Sequence, residues 1–132
     1  LGLIYLDTCL LIYFVERHPV WGDKAGLAMT DSVDRRFGIS PLVKCECLVG
    51  PIRQGNSGLQ RDYNDFFATL TPLDMPEEIY LQAATLRAHF RLKTPDALHL
   101  ACAQHHRCEA LWTNDDRLVQ ASHGLARAIL DR

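Results

Sequence analysis

No stretch of this sequence reaches the roughly 18 consecutive apolar residues of a bilayer-spanning helix, so no transmembrane helix and no membrane partner are expected. The opening run Leu1 to Leu6 lacks a basic n-region and a small-residue cleavage site, which argues against a secretory signal. The cytoplasm is the expected compartment. Disulfide patterning is missing as well. Cys9, Cys45, Cys47, Cys102 and Cys108 are odd in number and include no C-x-x-C pair, so they read mostly as small buried hydrophobes. Cys102, His105, His106 and Cys108 cluster, yet a structural zinc would draw on a second ligand pair that the sequence does not offer. Charge of one sign is also scarce: 14 Lys and Arg stand against 16 Asp and Glu, for a net charge of −2. A polyanion-binding surface would therefore have to be a local patch. The tightest basic cluster is Arg87, His89, Arg91 and Lys93; its plainer reading is the solvated face of a helix, and Arg87, Arg91 or Lys93 is expected to contact phosphate. Repeats, low-complexity tracts and linkers are absent.

What remains is 132 residues, 48% apolar and 23% charged, which suits one soluble domain spanning residues 1–132. Short apolar runs alternate with helical stretches. Leu3 to Leu6, Phe37 to Ile39, Ala110 to Thr113 and Ala126 to Leu130 read as strands. Leu70 to Leu73 reads as an edge fragment, because Pro72 cannot donate to a ladder. Helices are expected from Cys9 to Glu16, Val20 to Arg36, Pro41 to Arg53 and Leu59 to Thr69. A capping box at Asp74 to Glu77 opens a long one to Leu92. Thr94 reads as the N-cap of a helix with Pro95 in its first turn. A short helix follows Asn114-Asp115-Asp116 and runs to Gln120. This alternation argues for an α/β fold with a short parallel sheet flanked by helices.

Four acidic residues stand at the edges of these apolar segments. Asp7 and Asp115 each follow a strand, and so belong at the carboxyl edge of the sheet, where ligands bind in such folds. Asp96 opens a buried helix, and Glu46 sits among apolar neighbours inside another. Each has a plainer reading: Asp7, Asp96 and Asp115 as helix caps, Glu46 as the partner of Lys44 or Arg53. His99, one turn beyond Asp96, reads as a satisfied core histidine. Brought together, however, the acids would not stay ionised unaided. Two carboxylates about 4 Å apart repel by roughly 4 kcal/mol at an effective dielectric of 20, so either their pKa values rise or a divalent cation neutralises them. An all-oxygen set selects Mg²⁺ or Mn²⁺. Such ions bind phosphates, and one could activate a water while another stabilises a leaving oxygen.

Tyr5-Leu6-Asp7-Thr8, Ser40-Pro41-Leu42-Val43-Lys44-Cys45-Glu46, Thr94-Pro95-Asp96-Ala97-Leu98-His99-Leu100-Ala101 and Trp112-Thr113-Asn114-Asp115 resemble, in order, the four blocks of PIN-domain ribonucleases. Size and block order resemble the VapC toxins of type II toxin–antitoxin pairs, and the likeness runs from about Leu3 to Leu130. It implies a PIN-like three-layer sandwich and a Mg²⁺- or Mn²⁺-dependent endoribonuclease cleaving RNA by metal-activated water. Asp7, Glu46, Asp96 and Asp115 would be its catalytic, metal-binding acids. Thr113 falls where the family carries a hydroxyl near the metal, and Thr8 would support Asp7. The implied partners are an RNA substrate, a second copy in a homodimer, and a cognate VapB-like antitoxin in a heteromeric complex. Two positions depart from the pattern or blur it. Cys9 stands where many relatives place a small polar residue, and Asp116 beside Asp115 is a second candidate for the fourth acid.

Two other functions compete. A phosphatase of the haloacid-dehalogenase type would want an aspartate at the position of Cys9, and its absence argues against that chemistry. The other is a catalytically inactive PIN-like binding module acting through protein or RNA partners. An intact set of four mutually repelling acids argues against it, since a dead site has no need to tolerate them.

Overall fold

The computed structural model describes residues 2–130; the domain limits expected at residues 1 and 132 lie outside them. The chain builds a five-stranded sheet in the order β3-β2-β1-β4-β5, with every strand pair parallel. The strands are β1 (Gly2–Leu6), β2 (Arg35–Ile39), β3 (Thr71–Pro72), β4 (Ala110–Thr113) and β5 (Ala126–Ala128). The helices are α1 (Thr8–Val15), α2 (Gly22–Thr30), α3 (Pro41–Arg53), α4 (Ser57–Phe67), α5 (Glu77–His89), α6 (Thr94–His105) and α7 (Asp116–Ala121). All of β4 and the last three residues of β1 are buried, as in a parallel sheet covered by helices on its faces. α1 packs on α2 and α3, α3 on α4, and α5 on α6, while α1 and α6 both touch β4. The hydroxyl of Tyr63 donates to Glu16, which ties α4 to the end of α1.

The topology fixes where a site can be. From β1 the chain steps outward through β2 to β3, then returns to the other side of β1 as β4 and steps outward again to β5. The order reverses at β1, and the crevice beyond the carboxyl ends of β1 and β4 is the switch point at which such sheets bind ligands. The Asp7 amide donates to the Trp112 carbonyl at 3.0 Å, which holds the two strand ends together there.

Several boundaries differ from the sequence reading. The helix expected from Val20 to Arg36 stops at Thr30, and β2 begins already at Arg35. Gly2 to Tyr5 offers a parallel ladder to Arg35 to Gly38, and those backbone bonds outweigh the polar character of the two arginines. α5 ends at His89 rather than Leu92 because Phe90 turns to extended backbone, φ −131° and ψ 152°. No capping box forms at its start, where Pro76 is the N-cap without a side-chain bond. Lys93, not Thr94, holds the N-cap position of α6. The Thr94 hydroxyl instead accepts from Arg87 Nη1 at 2.8 Å, while Arg87 Nε donates to the Leu92 carbonyl at 3.0 Å. Arg87 thereby pins the α5–α6 loop. β5 ends at Ala128, so the expected strand to Leu130 is shorter. β3 is only two residues long and lies at the sheet edge, as Pro72 demands.

Candidate active site

Asp7 closes β1 and caps α1 in extended geometry, φ −66° and ψ 152°. Its carboxylate is held on both oxygens. Oδ1 accepts from the Thr8 amide at 2.8 Å and Oδ2 from the Thr113 hydroxyl at 2.7 Å. Thr113 is fully buried at the end of β4, and its hydroxyl oxygen also accepts from the Asp115 amide at 3.0 Å. One side chain thus fixes Asp7 against the turn that carries Asp115. Asp115 in turn caps α7 by accepting from the Arg117 amide at 2.9 Å. Cys9 offers Asp7 Oδ2 a weak S–H donor at 3.8 Å. Burial, then the charge on Asp7, pushes that thiol up to about 12, so it stays protonated and able to donate.

Glu46 is not paired with Lys44 or Arg53. Its Oε1 accepts from the Thr8 hydroxyl at 2.7 Å and lies 2.6 Å from His99 Nε2. Burial would raise the Glu46 carboxyl, but the bonds from His99 and Thr8 and the attraction of His99 overcome it and hold the group below its ordinary value. A carboxylate only accepts, so Nε2 carries the hydrogen in this bond. The ring's other nitrogen, Nδ1, lies 2.6 Å from the Tyr5 hydroxyl, which is 2.7 Å from Ser40 Oγ. Ser40 caps α3, accepting from the Val43 amide at 3.4 Å. A buried chain of hydrogen bonds therefore runs from the start of α3, through the sheet and α6, to the Glu46 carboxylate. His99 is a satisfied core histidine, only 2% exposed, but what satisfies it is the site, with Asp7 Oδ1 also 3.7 Å from Nε2. The sequence reading missed that role. Its signal was present: Tyr5 and Asp7 are two apart in an extended segment and share a side of the sheet, and His99 follows Asp96 by one helical turn.

Asp96, in the first turn of α6, is half-buried. Burial raises its carboxyl, and the charges of Asp115, Asp7 and Glu46 raise it further against a smaller opposing pull from His99. The charges of the other three acids thus all reach Asp96, and of these that of Asp115 is the strongest. An open cavity of about 470 Å³ beside them is lined by Asp7, Cys9, Tyr13, Asn114, Asp115, Asp116 and Arg117. Among the described residues none of the four is in ion-pair contact with a lysine or arginine. Nor do three His, Cys, Asp or Glu side chains stand close enough, as they are, to grip one ion. The chemistry of the donors nevertheless fits a hard cation. Mg²⁺ keeps most of its water and needs only one or two direct carboxylates, and a convergent all-oxygen set without paired cations supplies them. In the cysteine–histidine cluster at the end of α6, His106 is engaged otherwise: its Nε2 lies 2.8 Å from the Asp74 carbonyl.

A family model for the PIN domain matches residues 4–124. The chain belongs to the PIN domain family. Solved structures agree on the fold of this PIN domain. A toxin–antitoxin complex from Klebsiella pneumoniae superposes with a TM-score of 0.81 at 22% identity, covering 98% of this chain and 99% of that one. VapBC2 from Rickettsia felis, bound to a DNA fragment from its promoter, gives 0.78 at 18% identity over 95% and 97%. VapC20 from Mycobacterium tuberculosis, a toxin that cleaves the sarcin–ricin loop, gives 0.73 at 14% identity over 89% and 94%. No curated protein matches the sequence. Among the described residues no helix is long and apolar enough to cross a membrane.

Proposed function

We propose that this PIN domain is a divalent-metal-dependent endoribonuclease and the toxin of a VapBC-type pair. The observation that supports the proposal is the set of contacts that ties Asp7 to the Asp115 turn through Thr113 and to Glu46 through Thr8 and His99, with the charges of these three acids adding to burial in raising the Asp96 carboxyl. Asp7, Glu46, Asp96 and Asp115 are the residues that would hold Mg²⁺ or Mn²⁺. Such an ion, when bound, offsets their repulsion, stabilises negative charge on a phosphodiester and makes water more acidic. The protein's own part is positional. Thr113 and the Thr8 amide aim Asp7, His99 and the Thr8 hydroxyl aim Glu46, and the α7 cap places Asp115.

The toxin–antitoxin complexes among the similar folds support a cognate VapB-like antitoxin for this chain; a homodimer and a cytoplasmic location belong to the same reading. The test is cleavage of total RNA by antitoxin-free protein in Mg²⁺, Mn²⁺ or EDTA, beside Asp96→Asn. Metal-dependent cutting that the substitution abolishes supports the nuclease, and mapping the new ends identifies the target. No cutting in any metal would favour the inactive binding module.

A further inference from the structure

Arg117 lines two cavities at once. It stands in the wall of the acidic one, with Asp7 and Asp115, and also in the wall of a second one of about 530 Å³. The second is formed by Phe90, Arg91, Leu92, Gln120 and Ala121 together with Arg117, where the end of α5 meets α7. Its chemistry differs from that of the first. There is no carboxylate in its lining, which includes two arginines, and Phe90 supplies an aromatic surface braced edge-on by the His123 ring at 5.8 Å between centroids. Gln120 is exposed at its rim and carries both an amide donor and an amide acceptor.

Resting on the reading of this chain as a ribonuclease, we infer that the second cavity is a nucleotide subsite for single-stranded RNA, next along the strand from the carboxylates. The volume falls within the range of small-ligand pockets. Bases of unpaired strands stack on aromatic side chains and guanidinium planes, and their edges are read by amides. The strand's phosphates carry the charge that Arg91 and Arg117 complement, while the neighbouring acidic cavity repels phosphate unless a cation is bound. A strand entering the carboxylate site therefore finds, one cavity further on, a surface with the opposite charge and an aromatic wall. Arg91 makes no ion pair among the described residues, whereas Arg87, from the same basic cluster, is committed to the α5–α6 loop. Of that cluster, Arg91 is the cation that lines the second cavity. An acidic peptide, such as an antitoxin segment, is the competing occupant, but it gains nothing from an amide-rimmed aromatic wall suited to a planar base.

The experiment is binding of a mixed-sequence ten-nucleotide single-stranded RNA to the full chain in EDTA, followed by fluorescence anisotropy across a salt series. EDTA removes the chemistry, so binding is read without cleavage. Arg91→Ala is expected to lower affinity and to reduce the slope of log affinity against log salt by about one phosphate contact's worth. Phe90→Leu, which keeps an apolar side chain against the core, is expected to lower affinity about fivefold or more with the slope unchanged. Matching melting curves establish that both variants are folded. Affinity and slope left at wild-type values in both would overturn the subsite, and so would variants that bind RNA normally but lose affinity for an acidic antitoxin peptide. Loss of RNA binding in the variants, with no cleavage by wild type in any metal, would overturn the nuclease reading and leave the subsite standing.

Discussion

His99 Nε2 and Glu46 Oε1 are 2.6 Å apart, although 53 residues separate them in the chain. This contact joins α6 to α3 at the edge of the carboxylate cluster, and Tyr5 backs it from β1 at 2.6 Å. It makes the position of one acid depend on groups buried in the core.

Removing the backing hydroxyl should be felt in stability. Tyr5→Phe leaves Ser40 Oγ and His99 Nδ1 each short of a partner, and a buried unsatisfied polar group costs about 1–3 kcal/mol. His99→Ala takes the donor from Glu46 and the ring partner from the Tyr5 hydroxyl and opens a void, so its loss should be the larger. Urea denaturation checks this: both midpoints should fall with the slope unchanged, the His99→Ala midpoint further.

The two perturbed carboxyls should bend the acid limb of the stability curve in opposite directions. Glu46 is held below its ordinary value of 4.5, chiefly by His99 and Thr8 acting against burial. It contributes stability above that value, which is lost as pH falls through the folded-state pKa. Asp96 is raised above 3.8 by burial and by Asp115, Asp7 and Glu46. In metal-free protein it lowers stability as pH climbs from 3.8 through its folded-state pKa. Denaturation of metal-free protein between about pH 3 and 8 separates them: Glu46→Gln should flatten the rise with pH, and Asp96→Asn should remove the opposing fall.

Thr113 should matter more for metal than for folding. Thr113→Val keeps the buried shape but removes the hydroxyl that donates to Asp7 and accepts from the Asp115 amide. Outer groups that orient ligands are worth about 10- to 100-fold in metal affinity. Calorimetric titration with Mn²⁺ should show a loss of that order.

Much of this was legible in the sequence because hydrophobic runs and acids at strand ends obey local rules. β1 and β4 end where apolar runs give way to Asp7 and Asn114-Asp115, and parallel topology sends both ends to one edge. Asp96 and Glu46 needed the four-block resemblance, since nothing local says that two helices meet there. The start of β2 at Arg35 was hidden because its pairing with Gly2 to Tyr5 is a long-range choice that overrides two arginines. The Thr94 hydroxyl was misjudged as a cap because Arg87, seven residues earlier, claims it. His99 was read correctly as buried and satisfied, but which groups satisfy it is a property of the assembled fold. The second cavity, made by the α5–α6 loop and α7 from distant segments, left no pattern in the sequence at all.

The central claim is that the four acids form one site for a divalent cation, and the most direct measurement is thermal stability with and without Mg²⁺ or Mn²⁺ in wild type and Asp96→Asn. A ligand at 100 times its dissociation constant adds about 2.7 kcal/mol. Wild type should gain stability on that scale, while Asp96→Asn should start more stable than wild type without metal and gain little from it. Equal gains in the two proteins, or no gain in wild type, would contradict the account.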